Sequence, residues 1–267
     1  MALFVVKCCL KFLLRRTNMS GHNKWANIKA RKGAQDAKRG KMFTKVAKEI
    51  IVAARLGGGD PEHNPRLRNA IQAGREINMP NENIKRAIAR GTGAEGGDAI
   101  EEVLFEGFGP SGVAIMVEVQ TDNRNRTAGE IRHIFTKYGG SLGVPGSASR
   151  NFKREGHIII PMAQTTEDKL MELAIDAGAD DVQNDGENFI VVASFETFNQ
   201  VAESLVKNGL KPTAVKPVYT PQISVHLEGD HARSLLKMLD ALEDNDDVAN
   251  VWANFDIDDK ELESLGN

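Results

Sequence analysis

From Met19 to the C-terminus the sequence contains no cysteine; the only two, Cys8 and Cys9, are adjacent and lie before it. That excludes a disulfide scaffold and any cysteine-ligated zinc from the folded part. Catalytic groupings are missing as well. The histidines His22, His63, His133, His157, His226 and His231 are scattered, and no two form the HxxxH or HExxH spacing that would set metal ligands on one helix face. With no thiol and no serine elbow, no nucleophile stands out. The chain is therefore expected not to be an enzyme, and neither a metal nor a cofactor is expected. A bilayer-spanning helix needs roughly 20 mostly apolar residues, and no run after residue 18 provides them.

Nucleotide loops are also absent. Gly107-Phe108-Gly109-Pro110-Ser111-Gly112 matches GxGxxG in letters. The strand-like run VAIMVEV follows it, where the dinucleotide fingerprint needs a helix N-terminus, so it reads as a hairpin turn. Gly57–Gly59 lacks the Gly-Lys-Ser/Thr of a phosphate loop, and Glu243–Asp247 lacks the glycine and spaced ligands of a calcium loop. Neither a helix-turn-helix nor the aromatic strands of an RNA-recognition domain can be placed.

What the chain has is polarised charge. Its net charge is only −3, yet residues 20–95 hold sixteen Lys/Arg against seven Asp/Glu, while residues 160–267 hold seven against twenty-two. Two surfaces with different partners follow from such a split: nucleic acid on the basic side, and a protein partner or plain solubility on the acidic side. The acidic part is expected to face away from the polymer. The first eighteen residues, MALFVVKCCLKFLLRRTN, are apolar and basic without an acid. They read as a leader outside the fold, with Met19 as the working start. The protein is then cytoplasmic; mitochondrial targeting is the alternative.

Apolar periodicity divides the remainder. Phe43, Val46, Ala47, Ile50, Ile51 and Ala54 form one helical stripe, ended by Gly57-Gly58-Gly59-Asp60-Pro61. Leu67, Ala70, Ile71, Gly74 and Ile77 form a second, and Ile84, Ala87 and Ile88 a third. These predict a basic helical bundle over 19–95, closed by the glycine-rich linker 91–98. Strands are expected at Val103–Glu106, Val113–Val119 and Ala148–Lys153, around a helix over Asn123–Tyr138. Residues 156–218 then read as strand, helix, strand, strand, helix, strand, the ferredoxin-like unit. Strand Gln222–Leu227, helix His231–Leu242 and strand Val248–Phe255 would complete a second such unit with 96–155. The expected class is α plus α+β: a helical bundle followed by two ferredoxin-like domains, with 156–218 inserted between 96–155 and 219–267.

Two segments carry the candidate chemistry. SGHNKWANIKARKGAQDAKRGKMFTKVAKEI, residues 20–50, sets Lys24, Lys29, Arg31, Lys32, Lys38, Arg39, Lys41, Lys45 and Lys48 against Asp36 and Glu49. That density suits a phosphate backbone, whose neutralisation releases counterions. Trp25 lies inside the run and could stack on a base or anchor a core. In the second, Thr121-Asp122-Asn123-Arg124-Asn125-Arg126-Thr127, Asp122 or Asn123 can cap a helix whose N-terminus suits an anion, with Arg124 and Arg126 as bidentate donors; a plain cap with surface arginines fits equally.

These segments, together with GGGDPEHNPRLRNAIQAGREINMPNENIKRAI, FEGFGPSGVAIMVEVQTDNRNRTAGEIRHIF and LGVPGSASRNF, resemble the YebC/PmpR-type family over about residues 19–255. The resemblance implies a three-domain molecule that binds nucleic acid without catalysis. It also implies regulation of gene expression, through promoter DNA in members described as transcriptional regulators or through ribosomal RNA in those acting as translation factors, translational activators among the mitochondrial relatives. A third expectation, from another class, is an enzyme that uses Arg124, Arg126 and His133 on an anionic substrate.

Overall fold

The computed structural model describes residues 35–96, 99–258 and 260–262, with side chains from residue 40 on. The leader 1–18 and its start at Met19 lie outside the described residues. Three helices open the described chain: α1 (Gln35–Gly57), α2 (Pro65–Glu76) and α3 (Asn81–Gly91). Their apolar stripes meet in one core of Ile50, Ile51, Ala54, Leu67, Ala70, Ile71, Ile84 and Ala87. Asn64 fixes the turn between α1 and α2. Its carbonyl oxygen accepts from Leu67 N at 3.0 Å, capping α2. Its amide donates to Ala53 O and Gly58 O, both at 2.8 Å. Gly91 ends α3 against α1, where a Cβ would lie 2.4 Å from Ile51 O.

The middle sheet contains β1 (Glu101–Phe108), β2 (Ala114–Thr121), β3 (Ser141–Leu142) and β9 (Val248–Ala253) in the order β3-β1-β2-β9. Helix α4 (Arg124–Lys137) follows β2 and α7 (Gly229–Glu243) precedes β9. Strands β2 and β3 form a split β-α-β unit around β1, so this is a ferredoxin-like layer whose inner partner strand comes from the N-terminal side. The helices bury one sheet face: Ile115, Val117 and Val119 pack with Ile131, Phe135, Leu235, Leu239 and Leu242. The expected GxGxxG turn is indeed a hairpin, with Phe108 paired to Ala114.

The inserted sheet has β4 (Phe152–Pro161), β5 (Asp181–Asn184), β6 (Asn188–Ser194) and β7 (Ala214–Pro221) in the order β5-β6-β4-β7, with α5 (Glu167–Asp176) and α6 (Phe198–Lys207) on one face. This is the ferredoxin-like order, and the class is α plus α+β, with one ferredoxin-like layer inserted in the other.

Two expected strands fall differently. Residues 149–151 form a 3-10 turn, and Phe152 already pairs with Pro221 on β7. The segment 148–153 therefore feeds the inserted sheet, which runs from 152 to 221 rather than from 156 to 218. Of 222–227 only β8 (Val225–His226) pairs, in parallel with β10 (Phe255–Asp256) and outside the four-stranded sheet.

β2 is buried almost throughout rather than alternately. Its second face, Ala114 and Met116, packs with Trp252, Ala148 and Phe152 and, at the edge, Val218 and Tyr219. The inserted sheet thus roofs the middle one, as continuous apolar strands require. Among the described residues no helix is long and apolar enough to cross a membrane.

Gly156 marks the tightest packing in the inserted layer: a Cβ there would sit 2.0 Å from the Phe198 ring. Gly156→Ala should destabilise the protein by about 1–3 kcal/mol through overpacking. Denaturant unfolding with unchanged helix content in water checks it; an unchanged midpoint would show that Phe198 has room to move.

Candidate nucleic-acid interface

Helical spacing places Lys41, Lys45 and Lys48 on one stripe of α1, and the stripe meets the C-terminus of α7. Lys45 Nζ donates to Glu243 O at 2.6 Å, Lys41 Nζ to Asp244 O at 3.0 Å, and Lys48 Nζ to Asp246 O at 2.9 Å. The last carbonyls of a helix have no partner within it and carry partial negative charge. Lysines from another domain are natural caps for them. Burial lowers the pKa of Lys45, against the opposing pull of Glu243, Asp246 and Asp244.

Asp247 closes the arrangement. Its buried carboxylate accepts from Lys48 Nζ at 2.5 Å, Thr127 Oγ1 at 2.6 Å, Arg126 Nη2 at 2.9 Å and Thr121 Oγ1 at 3.2 Å. Burial alone would raise its pKa; the donors Lys48, Thr127 and Arg126 outweigh that and hold it far below the usual carboxylate range. Around this network lies an open cleft of about 520 Å³, lined by Lys41, Thr44, Lys48, Arg126, Glu130 and residues 244–247. Neither Arg124 nor His133 lines it. The grouping expected for an enzyme on an anionic substrate is therefore not assembled there. Among the described residues no group of three or more His, Cys, Asp or Glu could hold a metal ion.

The expected site residues thus separate. Lys24, Trp25, Lys29, Arg31 and Lys32 lie outside the described residues. Lys38 and Arg39 lie in the first turns of α1. Lys41 and Lys45 are engaged by α7. Arg126 is tied to Asp247 and, at 2.8 Å, to Asp122; these acids raise its pKa and leave it little free charge. Asn123 is the cap of α4, accepting from Arg126 N at 3.0 Å. Arg124 is exposed and makes no ion pair among the described residues. The acidic segment 243–247 is docked on the basic helix α1.

Composition hid two further sets. Arg66 bridges Glu49 (Nε–Oε1 2.7 Å) and Glu102, and Gln120 donates to both glutamates. This is a second clasp between bundle and middle sheet. Its partners come from four separate elements, so no local spacing announces it. Arg68 and Arg75 on α2 and Arg86 and Arg90 on α3 are exposed and without an ion pair among the described residues. They fall within the basic region but beyond the dense run at 20–50, spaced too widely to form a run of their own.

Residues 23–94 match the family profile described as the TACO1/YebC protein N-terminal domain, and residues 100–255 that of the TACO1/YebC second and third domain. The chain belongs to the TACO1/YebC family. A family relative from Geotalea uraniireducens is 51% identical over 247 residues, covering 92% of this chain and 100% of its own. One from Dictyoglomus turgidum is 53% identical over 248 residues with the same coverage. Both carry the name "probable transcriptional regulatory protein". The crystal structure of a conserved hypothetical protein from Aquifex aeolicus superposes with a TM-score of 0.76 at 47% identity, over 84% of this chain and 93% of that one.

Removing Asp247 tests the clasp. Asp247→Asn leaves Lys48 facing a neutral group at a buried site, a loss on the order of 3 kcal/mol. Thermal unfolding and amide exchange in α1 report it; unchanged protection of α1 would mean the bundle is held elsewhere. Because the folded pKa is depressed, this contribution is complete above about pH 4 and is lost only as the pH falls through the depressed value. Docking of the wild-type bundle should therefore persist through mildly acidic pH.

Proposed function

We propose that this protein is a non-enzymatic regulator of gene expression that binds nucleic acid through its basic helical domain, with DNA as the target. The observation that carries this reading is the surplus of cations in that domain. After Lys41, Lys45, Lys48 and Arg66 are spent on internal clasps, Arg68, Arg75, Arg86 and Arg90 stay exposed, and the run from Lys24 to Arg39 adds six more Lys/Arg against one acid. The name carried by the relatives supports regulation through DNA. The acidic inserted domain, with Lys207, Lys211 and Lys216 among its few cations, serves a protein partner or solubility.

Crosslinking in cells followed by sequencing of the bound polymer, beside a density-gradient ribosome profile, tests the target. Specific promoter fragments are expected; ribosomal RNA crosslinks with co-sedimentation would replace DNA by the ribosome. If roughly 6–10 phosphates are contacted, log affinity of the full chain should fall with log salt at a slope on the order of −5 to −9. A flat dependence would mean that the basic face is merely solvated.

Replacing Lys29, Arg31, Lys32, Lys38 and Arg39 by alanine should weaken binding by about two orders of magnitude or more, similarly across sequences. Replacing Lys207, Lys211 and Lys216 should do little. Electrophoretic mobility shifts at fixed salt compare the two sets, and equal losses would make the acidic α/β domain a direct binder.

A further inference from the structure

Most glycines in the described residues have an internal reason. Gly156 lies against the Phe198 ring, Gly91 sits on Ile51 O, and Gly107 lies under Phe135. Gly58, Gly112 and Gly178 take positive φ. Gly129 has none of these. It lies in the interior of α4, which runs from Arg124 to Lys137. It is exposed, has no positive φ, and has nothing within 4 Å of where a Cβ would stand. Glycine in a helix interior costs stability relative to alanine, and here nothing inside the molecule offsets that cost. One turn to either side stand Asn125, Arg126, Arg132 and His133, all exposed. These four neighbours at i±3 and i±4 are hydrogen-bond donors, and none is a carboxylate. Asn125, Arg132 and His133 have no side-chain partner among the described residues, while Arg126 is pinned by Asp122 and Asp247 at the edge.

We infer that this face of α4 is a contact surface for a nucleic-acid backbone. Gly129 supplies a bare patch on which a sugar-phosphate strand reaches the helix closely. Arg132, His133 and Asn125 donate to phosphate oxygens around it. Bare helix backbone ringed by donors suits a polyanion that must approach closely. An acidic protein surface could pair with the arginines but would gain nothing from the missing side chain. The inference rests on the nucleic-acid reading above and adds a second surface, on the middle domain.

The test uses the full chain with a fluorescein-labelled DNA duplex and the RNA duplex of the same sequence, read by anisotropy at low salt. Gly129→Ala should leave the melting temperature unchanged or raise it, since alanine favours the helix, and should still weaken binding. Gly129→Leu and Arg132→Ala should each weaken it about tenfold or more, the loss of a charge-assisted contact, with Arg132→Lys restoring part of it. The duplex whose affinity falls more identifies the polymer lying on this face. Binding that survives Gly129→Leu and Arg132→Ala unchanged overturns this face while leaving the nucleic-acid reading standing. Failure of the unaltered chain to bind either duplex overturns both.

Discussion

The buried carboxylate of Asp247 anchors the helical bundle to the middle domain, beside the second clasp of Arg66 with Glu49 and Glu102. A carboxylate removed from water is costly unless charge and hydrogen bonds replace its hydration. Here they come from both sides of a domain boundary: Lys48 from α1, and Arg126, Thr121 and Thr127 from the β2–α4 junction. The backbone joins in, with Gln120 N donating to Asp247 O at 2.7 Å beside the register shift between β2 and β9. One residue therefore sets the end of a sheet, the start of a helix and the seat of a second domain. Lys45 and Lys41, on the carbonyls of Glu243 and the cap Asp244, give that seat direction, because a helix C-terminus attracts cations only along its last turn.

The roof over the middle sheet follows from a different constraint. β2 carries apolar residues on both faces, and one layer of helices can cover only one. The inserted domain covers the other, with Tyr219 meeting Trp252 edge-on at 4.9 Å between centroids. An insertion at this point of the chain is thus a structural part of the middle domain's core as well as a domain of its own.

The bundle was the most legible part of the sequence, because a 3.6-residue period with glycine and proline stops needs no information from elsewhere. The inserted unit was legible for a similar reason: its strands and helices are short, regular and complete within one stretch. The middle domain was less so. β3 is two residues long, and 222–227 has strand composition but too little partner to pair with. The segment at 148–153 reads as a strand of the domain before it, whereas its ladder partner, Pro221, lies some seventy residues later. The candidate site divided in the same way. The sequence shows where cations are dense, but not which of them a distant acid has already taken: Lys48 meets Asp247, and Arg66 meets Glu49 and Glu102.

That division separates lysine from arginine. The stripe Lys41, Lys45 and Lys48 sits where compact point charges are needed against converging carbonyls, and each finds one. The cations left to solvent on α2, α3 and α4 are largely arginines, namely Arg68, Arg75, Arg86, Arg90, Arg124 and Arg132. Their flat, weakly hydrated forks suit phosphate and sacrifice less to desolvation than an ammonium does. A polymer seeking the lysines would have to uncap α7 and strand Asp247 in a buried site, whereas the arginines can be reached without breaking any contact. The net charge of the basic region therefore overstates what Lys41, Lys45 and Lys48 can offer an anion.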